Sequence, residues 1–200
     1  MNTWLQSFIW TFVPLFIVID ALGNLPFVVS MSEGISTRDR RKMVHISIMT
    51  AAIVGLAFLF FGHFILRIMD ISIGSFAVAG GIVLLVLSVK YMTTGHMVDV
   101  IKEEMAAVVP IGTPLVVGPA TITTLLLLIN EFQLYIVLIS FVLNLIVTWL
   151  IFLIGNQIVR FMGRDGIKAV SRVFSLLLAA IAVSMIIRGL NLVGILNTGM

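Results

Sequence analysis

No cysteine occurs anywhere in the chain, which excludes a disulfide framework, a thiolate zinc site and a cysteine nucleophile. Charge is almost as scarce. Only 10% of the 200 residues are Asp, Glu, Lys or Arg, against about 25% in a soluble domain. Too little polar surface remains to cover a water-soluble core. With 60% hydrophobic residues and a mean hydropathy of +1.22, the bilayer is the expected solvent. The net charge of +3 is small, and the basic residues sit in short connections, which suits membrane orientation and not nucleic-acid binding. Positive charge is also missing before Trp4, and no A-x-A-like cleavage site follows. The first apolar segment therefore reads as a retained span.

Catalytic signatures are missing as well. There is no H-E-x-x-H zinc motif and no G-x-S-x-G elbow. An intramembrane aspartyl protease needs two facing carboxylates, and only Asp20 lies deep in an apolar segment. The chain is not expected to be an enzyme, to bind a metal or to carry a cofactor. It has no ATP-binding motif, so coupling to hydrolysis would require a partner.

What is present is a set of six apolar segments, at about 4–31, 42–66, 71–92, 106–130, 133–159 and 171–195. Each meets the roughly 20 residues that a spanning helix needs. The expected fold is all-α, a single polytopic membrane domain over 1–200. Ten of the twelve basic residues fall on one side if the spans alternate. They are Arg38, Arg40, Arg41, Lys42, Lys90, Lys102, Arg160, Arg164, Lys168 and Arg172, with Arg67 and Arg188 on the other. The positive-inside rule then puts both termini outside the cytoplasm.

The six spans read as two sets of three. Gly62, Ile65, Arg67 and Met69 at the end of the second recur as Gly155, Ile158, Arg160 and Met162 at the end of the fifth. After an insertion of five residues, Phe76–Met92 faces Phe174–Leu190, and the same offset lays Asp20 over Gly118. Repeat one covers about 4–92 and repeat two about 106–195, joined by a loop over about 93–105. In that loop Met97, Val98, Ile101 and Met105 suit a short interfacial helix. Three is odd, so the second copy enters the membrane from the opposite face. Such inverted repeats hold their solute between them at the midplane.

Two spans are interrupted near their middles, in repeat-related places. The first reads Asp20-Ala21-Leu22-Gly23-Asn24-Leu25-Pro26, and the second contains Pro114 and then Gly118-Pro119-Ala120-Thr121-Ile122-Thr123-Thr124. Gly23 is conformationally permissive, Asn24 is a good N-cap, and Pro26 fits a first helical turn. A half-helix is expected to start near Asn24 and another at Gly118–Pro119. Each start leaves unsatisfied N–H groups and partial positive charge at the midplane, suited to a carboxylate. Thr121, Thr123 and Thr124 add hydroxyls. A carboxylate at the depth of Asp20 is costly unless it faces protein or water. It is suited to hold a coupling ion or a substrate ammonium, or else to cap neighbouring backbone. Asn144, deep in the fifth span, either faces this site or makes an interhelical hydrogen bond. Ala77, Gly80, Gly81, Ala179 and Ala180 read as close-packing positions.

Asp20–Pro26, Gly80-Gly81-Ile82-Val83-Leu84-Leu85 and Pro110–Thr124, in that order and over nearly the whole chain, resemble the MarC family, also called the SnatA or neutral amino acid transporter family. The resemblance implies a six-span inner-membrane protein, and some members transport glycine, alanine and other small neutral amino acids. The family has Pro after the Asp, where this chain has Ala21. That shifts the expected first break from Asp20 towards Gly23-Asn24. The leading expectation is a secondary transporter of small neutral amino acids, with Asp20, Gly23, Asn24, Gly118, Pro119, Thr121, Thr123 and Thr124 at the solute. Proton or sodium coupling would act through Asp20. The alternatives are an exporter or channel for another small solute, and a non-transporting membrane assembly subunit. The implied partners are a small solute and the lipid bilayer; a homo-oligomer is compatible with the sequence.

Overall fold

A computed structural model describes residues 3–25, 28, 29, 32, 36–94 and 116–195. The helix-break prolines Pro26 and Pro114, and the connection with Met97, Val98, Ile101 and Met105, lie outside the described residues. Among the described residues every regular element is helical. In chain order they are α1 (Thr3–Ile19), α2 (Thr37–Ile68), α3 (Ile73–Thr94), α4 (Pro119–Glu131), α5 (Leu134–Leu153) and α6 (Gly155–Leu192).

Among the described residues, four stretches are long and apolar enough to cross a membrane: Thr37–Ile68, Ile73–Lys90, Leu134–Leu153 and Arg172–Leu192. The other two helices, α1 and α4, are apolar but shorter, at 17 and 13 residues. These are the two whose segments carry the interrupting residues. At 1.5 Å per residue they run about 26 and 20 Å, less than the roughly 30 Å of a hydrocarbon core.

The distribution of side chains is that of a lipid-solvated bundle. Met49, Ile53, Phe60, Phe61 and Phe64 of α2 are exposed, as are Val86 and Val89 of α3 and Leu176 and Ile187 of α6. Thr11, Asp20, Asn24, Thr121, Thr124 and Asn144 are buried. Large apolar groups outside and polar groups inside is the arrangement that lipid favours, because hydrocarbon offers no hydrogen bonds.

Helix ends follow local chemistry. Ser36 caps α2, its hydroxyl accepting from the Asp39 N–H at 3.1 Å. At the other end Asp70 adopts a positive φ of 54°, and the Ile71 N–H closes back on the Leu66 carbonyl at 2.9 Å. The fifth span ends earlier than the apolar run suggested, because Ile154 turns the chain and α6 begins at Gly155. The basic stretch Arg160–Lys168, expected as a loop, is helical except at Gly163, whose φ of 69° kinks α6. The polar stretch therefore lies within α6 and does not end it.

α3 and α6 form the most extensive helix pair, and glycine makes their approach possible. A β-carbon on Gly189 would lie 2.6 Å from the Gly74 carbonyl oxygen, and one on Gly74 would lie 2.8 Å from the Gly189 oxygen. Gly81 similarly faces the Ala182 carbonyl at 2.8 Å. Ala77 and Ala182 are fully buried in the same seam. Gly189→Ala is expected to lower stability by about 1–3 kcal/mol through overpacking. It should be read as a lower apparent Tm in detergent, and an unchanged Tm would contradict the close seam.

Candidate functional site

α1 stops where Asp20 takes a left-handed conformation, with φ 46°. Few non-glycine residues accept this region, and Asp does so because its short side chain bonds locally. Here Oδ1 of Asp20 accepts the Gly23 N–H at 3.0 Å. A β-carbon at residue 23 would collide with that carboxylate, so the turn requires glycine there. Asn24 closes the other side: its N–H donates to the Asp20 carbonyl at 3.0 Å, and Nδ2 donates to the Ile19 carbonyl at 3.0 Å. The Val28 N–H then donates to the Asn24 carbonyl at 3.1 Å, so helical bonding resumes at Asn24.

The expected helix start near Asn24 is thus present, but the expected displacement of the break away from Asp20 is not. Ala21 in place of Pro does not move it. The reversal is held by the Asp20–Gly23 hydrogen bond, which needs no proline. Asp20 is 4% exposed and Asn24 1% exposed, so this polar turn is enclosed by protein.

The second interruption is built differently. Gly118 is the N-cap of α4, extended at φ −84° and ψ −178°, with no side-chain capping bond. Pro119 occupies the first helical turn, and the Gly118 carbonyl accepts the Ile122 N–H at 3.1 Å. Among the described residues no atom would lie within 4 Å of a β-carbon at Gly118. Thr121 donates to the Val116 carbonyl at 3.3 Å, and Thr124 to the Ala120 carbonyl at 2.8 Å.

The three threonines do not share one face. Thr121 and Thr124 are one turn apart. Thr123 instead packs onto Gly80 of α3, filling the space where a β-carbon would be. It belongs to the α3–α4 contact, a role the hydroxyl-rich sequence did not disclose. Gly80 and Gly81 therefore serve different neighbours, α4 and α6.

The two interruptions border the same hydrophobic core. Ile19, Ala21 and Leu25 from the first share one buried cluster with Val116 and Val117, which precede the second. Asn144 does not join them. Its Nδ2 donates to the Phe12 carbonyl of α1 at 3.1 Å and to the Ser140 carbonyl at 2.9 Å. Phe12 lies about 12 Å along the helix axis from Asp20. Asn144 and the Thr11–Ser140 hydroxyl pair at 2.6 Å tie α1 to α5, the interhelical alternative read from the sequence.

Arg40 is a residue whose place the sequence did not reveal. Read as one of several orientation charges, it donates to the Phe152 and Leu153 carbonyls at 3.1 and 3.2 Å. It caps the C-terminus of α5, where cations are favoured. Leu25 and Val29 pack beside it, against Gly155. The half-helix that follows the first break is thereby seated on the α5–α6 corner.

The turn geometry separates two substitutions. Asn at position 20 keeps the acceptor and tolerates a positive φ, so Asp20→Asn is expected to unfold within about 1 kcal/mol of the parent. Asp20→Leu loses the hydrogen bond and strains the backbone, at a cost of about 2–3 kcal/mol. Thermal unfolding in detergent measures both; equal losses would contradict the turn.

A family model described as MarC family integral membrane protein matches residues 5–193. A UPF0056 membrane protein of Methanocaldococcus jannaschii is 30% identical over 199 residues, covering 94% of this chain and 97% of its own. A second from that organism is 32% identical over 207 residues, covering 97% and 90%. The UPF0056 inner membrane protein YhgN of Escherichia coli is 29% identical over 185 residues, covering 90% and 94%. No solved structure matches the chain. With its polar turns buried, its apolar surfaces exposed and the family match running almost end to end, the chain is an integral membrane protein and belongs to the MarC family.

Proposed function

We propose that the protein is a secondary transporter of small neutral amino acids, of the glycine and alanine class, with its solute held between the two interrupted helices. The observation that carries this reading is that a buried carboxylate and a helix start without a side-chain cap are each flanked by residues of one buried core. One oxygen of Asp20 is committed to the Gly23 N–H. The other is left to receive a substrate ammonium or a coupling cation. The first turn of α4 offers N–H groups and positive potential to the substrate carboxylate. A site with one group of each sign suits a zwitterion. The absence of a deep Lys or Arg disfavours a di-acid or a phosphate.

The inverted three-plus-three arrangement belongs to the same proposal. Pairing α1 with α4, α2 with α5 and α3 with α6 exchanges the two halves. Under that exchange the α1–α5 contact becomes α4–α2, and both are present. The α3–α4 contact becomes α6–α1, also present, while α3–α6, α2–α5 and α1–α4 map onto themselves; the smaller α4–α5 and α5–α6 contacts lack a counterpart of equal extent among the described residues. This supports two halves related by a pseudo-twofold axis, which would rock about the central site. The segments containing α1 and α4 would each cross the membrane with a break. Both termini would then lie outside the cytoplasm, with the basic connections inside.

Counterflow tests the function. Proteoliposomes preloaded with unlabelled alanine should take up labelled alanine several-fold faster than empty ones, as a carrier requires and an open pore does not. Asp20→Asn should abolish this while remaining folded. Sodium and proton gradients imposed separately would identify the coupling ion. Full counterflow by Asp20→Asn would remove Asp20 from the site, and absence of trans-stimulation in the parent would remove the carrier.

A further inference from the structure

A cavity of about 540 Å³ lies between α1, α4 and α6, apart from the turn at Asp20. Two of its walls run side by side, from Thr124 to Glu131 on α4 and from Ile181 to Arg188 on α6. Eight residues of helix, seven rises of 1.5 Å, make each about 10 Å deep. That depth is most of the roughly 15 Å half-thickness of a hydrocarbon core. Its rim carries both charge signs: Arg188 Nη1 contacts Glu131 Oε1 at 2.7 Å and Oε2 at 2.9 Å. Its inner end is Thr124, whose hydroxyl sits 3.9 Å from the Met185 sulfur. Thr124 is on the second turn of α4, directly after the helix start.

The third wall contains a backbone defect. Pro14 lies inside α1 and has no N–H, so the Trp10 carbonyl loses its usual helical donor. Trp10 and Pro14 both line the cavity. A carbonyl without its helical donor is costly against hydrocarbon and acceptable against water. The exposed hydroxyl of Ser184 on the α6 wall adds a second polar group.

We infer that this cavity is a water-filled outer vestibule, through which a small zwitterion reaches the broken helices from the extracytoplasmic side. The cargo rests on the transporter reading above and the sidedness on the orientation proposed with it; the water rests on neither. The paired charges at the rim give it both signs without net charge, which admits a zwitterion and repels neither of its ends. Thr124 and Met185 close its inner end in this conformation.

The cysteine-free chain makes the test direct, since any thiol introduced is the only one. Ser184→Cys and Ile181→Cys place thiols on the wall. Val183→Cys and Ile187→Cys place them at similar depth on exposed positions outside the cavity. A membrane-impermeant methanethiosulfonate reagent is added to intact cells and, separately, to inside-out vesicles. Because the thiolate is the reactive form and needs water, the wall positions should label from outside at least about tenfold faster than the controls. Wall rates equal to the controls mean a lipid-filled groove and overturn the proposal, as does labelling from the cytoplasmic side alone. Either wall variant suffices if the other does not fold. Excess alanine should slow the wall reaction; fast labelling that alanine leaves unchanged overturns the cargo while keeping the vestibule.

Discussion

In a hydrocarbon solvent, backbone that leaves a helix must find its hydrogen-bond partners inside the protein. The turn from Asp20 to Asn24 meets that demand within five residues. The Asp20 carboxylate takes the Gly23 N–H, the Asn24 side chain serves the Ile19 carbonyl, and Asn24 restarts helical bonding. A chain broken here without these groups would expose several polar atoms, each at a cost of kilocalories. The same side chains therefore permit the interruption and furnish it with charge. Structural and functional readings of Asp20 do not compete: one oxygen holds the turn, and the proposed chemistry belongs to the other.

The second interruption solves the problem in another way. Pro119 lacks an N–H and so removes one orphan donor, while Thr121 and Thr124 return their hydroxyl protons to carbonyls at or just before the start of α4. What is left is a set of N–H groups at the start of α4 with no side-chain cap. The two interruptions are thus complementary, one rich in acceptor and the other in donor, and they share a buried cluster. A carboxylate and an ammonium on one small solute have opposite needs, and the proposed site would draw on both interruptions to meet them.

Much of this was legible in the sequence, because lipid imposes simple rules. α2, α3, α5 and the latter part of α6 were visible as apolar runs of spanning length, and the interruptions as Asp-x-x-Gly-Asn and Gly-Pro inside such runs. The residue that turns the chain was misplaced. Replacement of Pro by Ala21 pointed to Gly23-Asn24, whereas a local carboxylate bond holds Asp20 in the left-handed region. The basic stretch near Arg160 interrupts the apolar pattern without ending the helix, because polarity reports where a helix leaves hydrocarbon and not where it ends. Directions around a helix were the least accessible. Nothing in the composition sends Thr123 to Gly80, Asn144 to the Phe12 carbonyl or Arg40 to the end of α5, since each depends on which neighbour arrives opposite.

The seam between α3 and α6 has a mechanical consequence. Where Gly74 meets Gly189 and Gly81 meets the Ala182 carbonyl, backbone comes against backbone, and Val78, Ile186 and Val193 seat their side chains on the same glycines. Most helix pairs are keyed by ridges in grooves, and shifting one past another means lifting every ridge. A glycine seam is closer to a clamp: the notches left by Gly74, Gly81 and Gly189 receive Val193, Ile186 and Val78, so the two axes are held close and change their angle as one unit. Bulk added in those notches should therefore matter more than bulk added along the lipid-facing flanks.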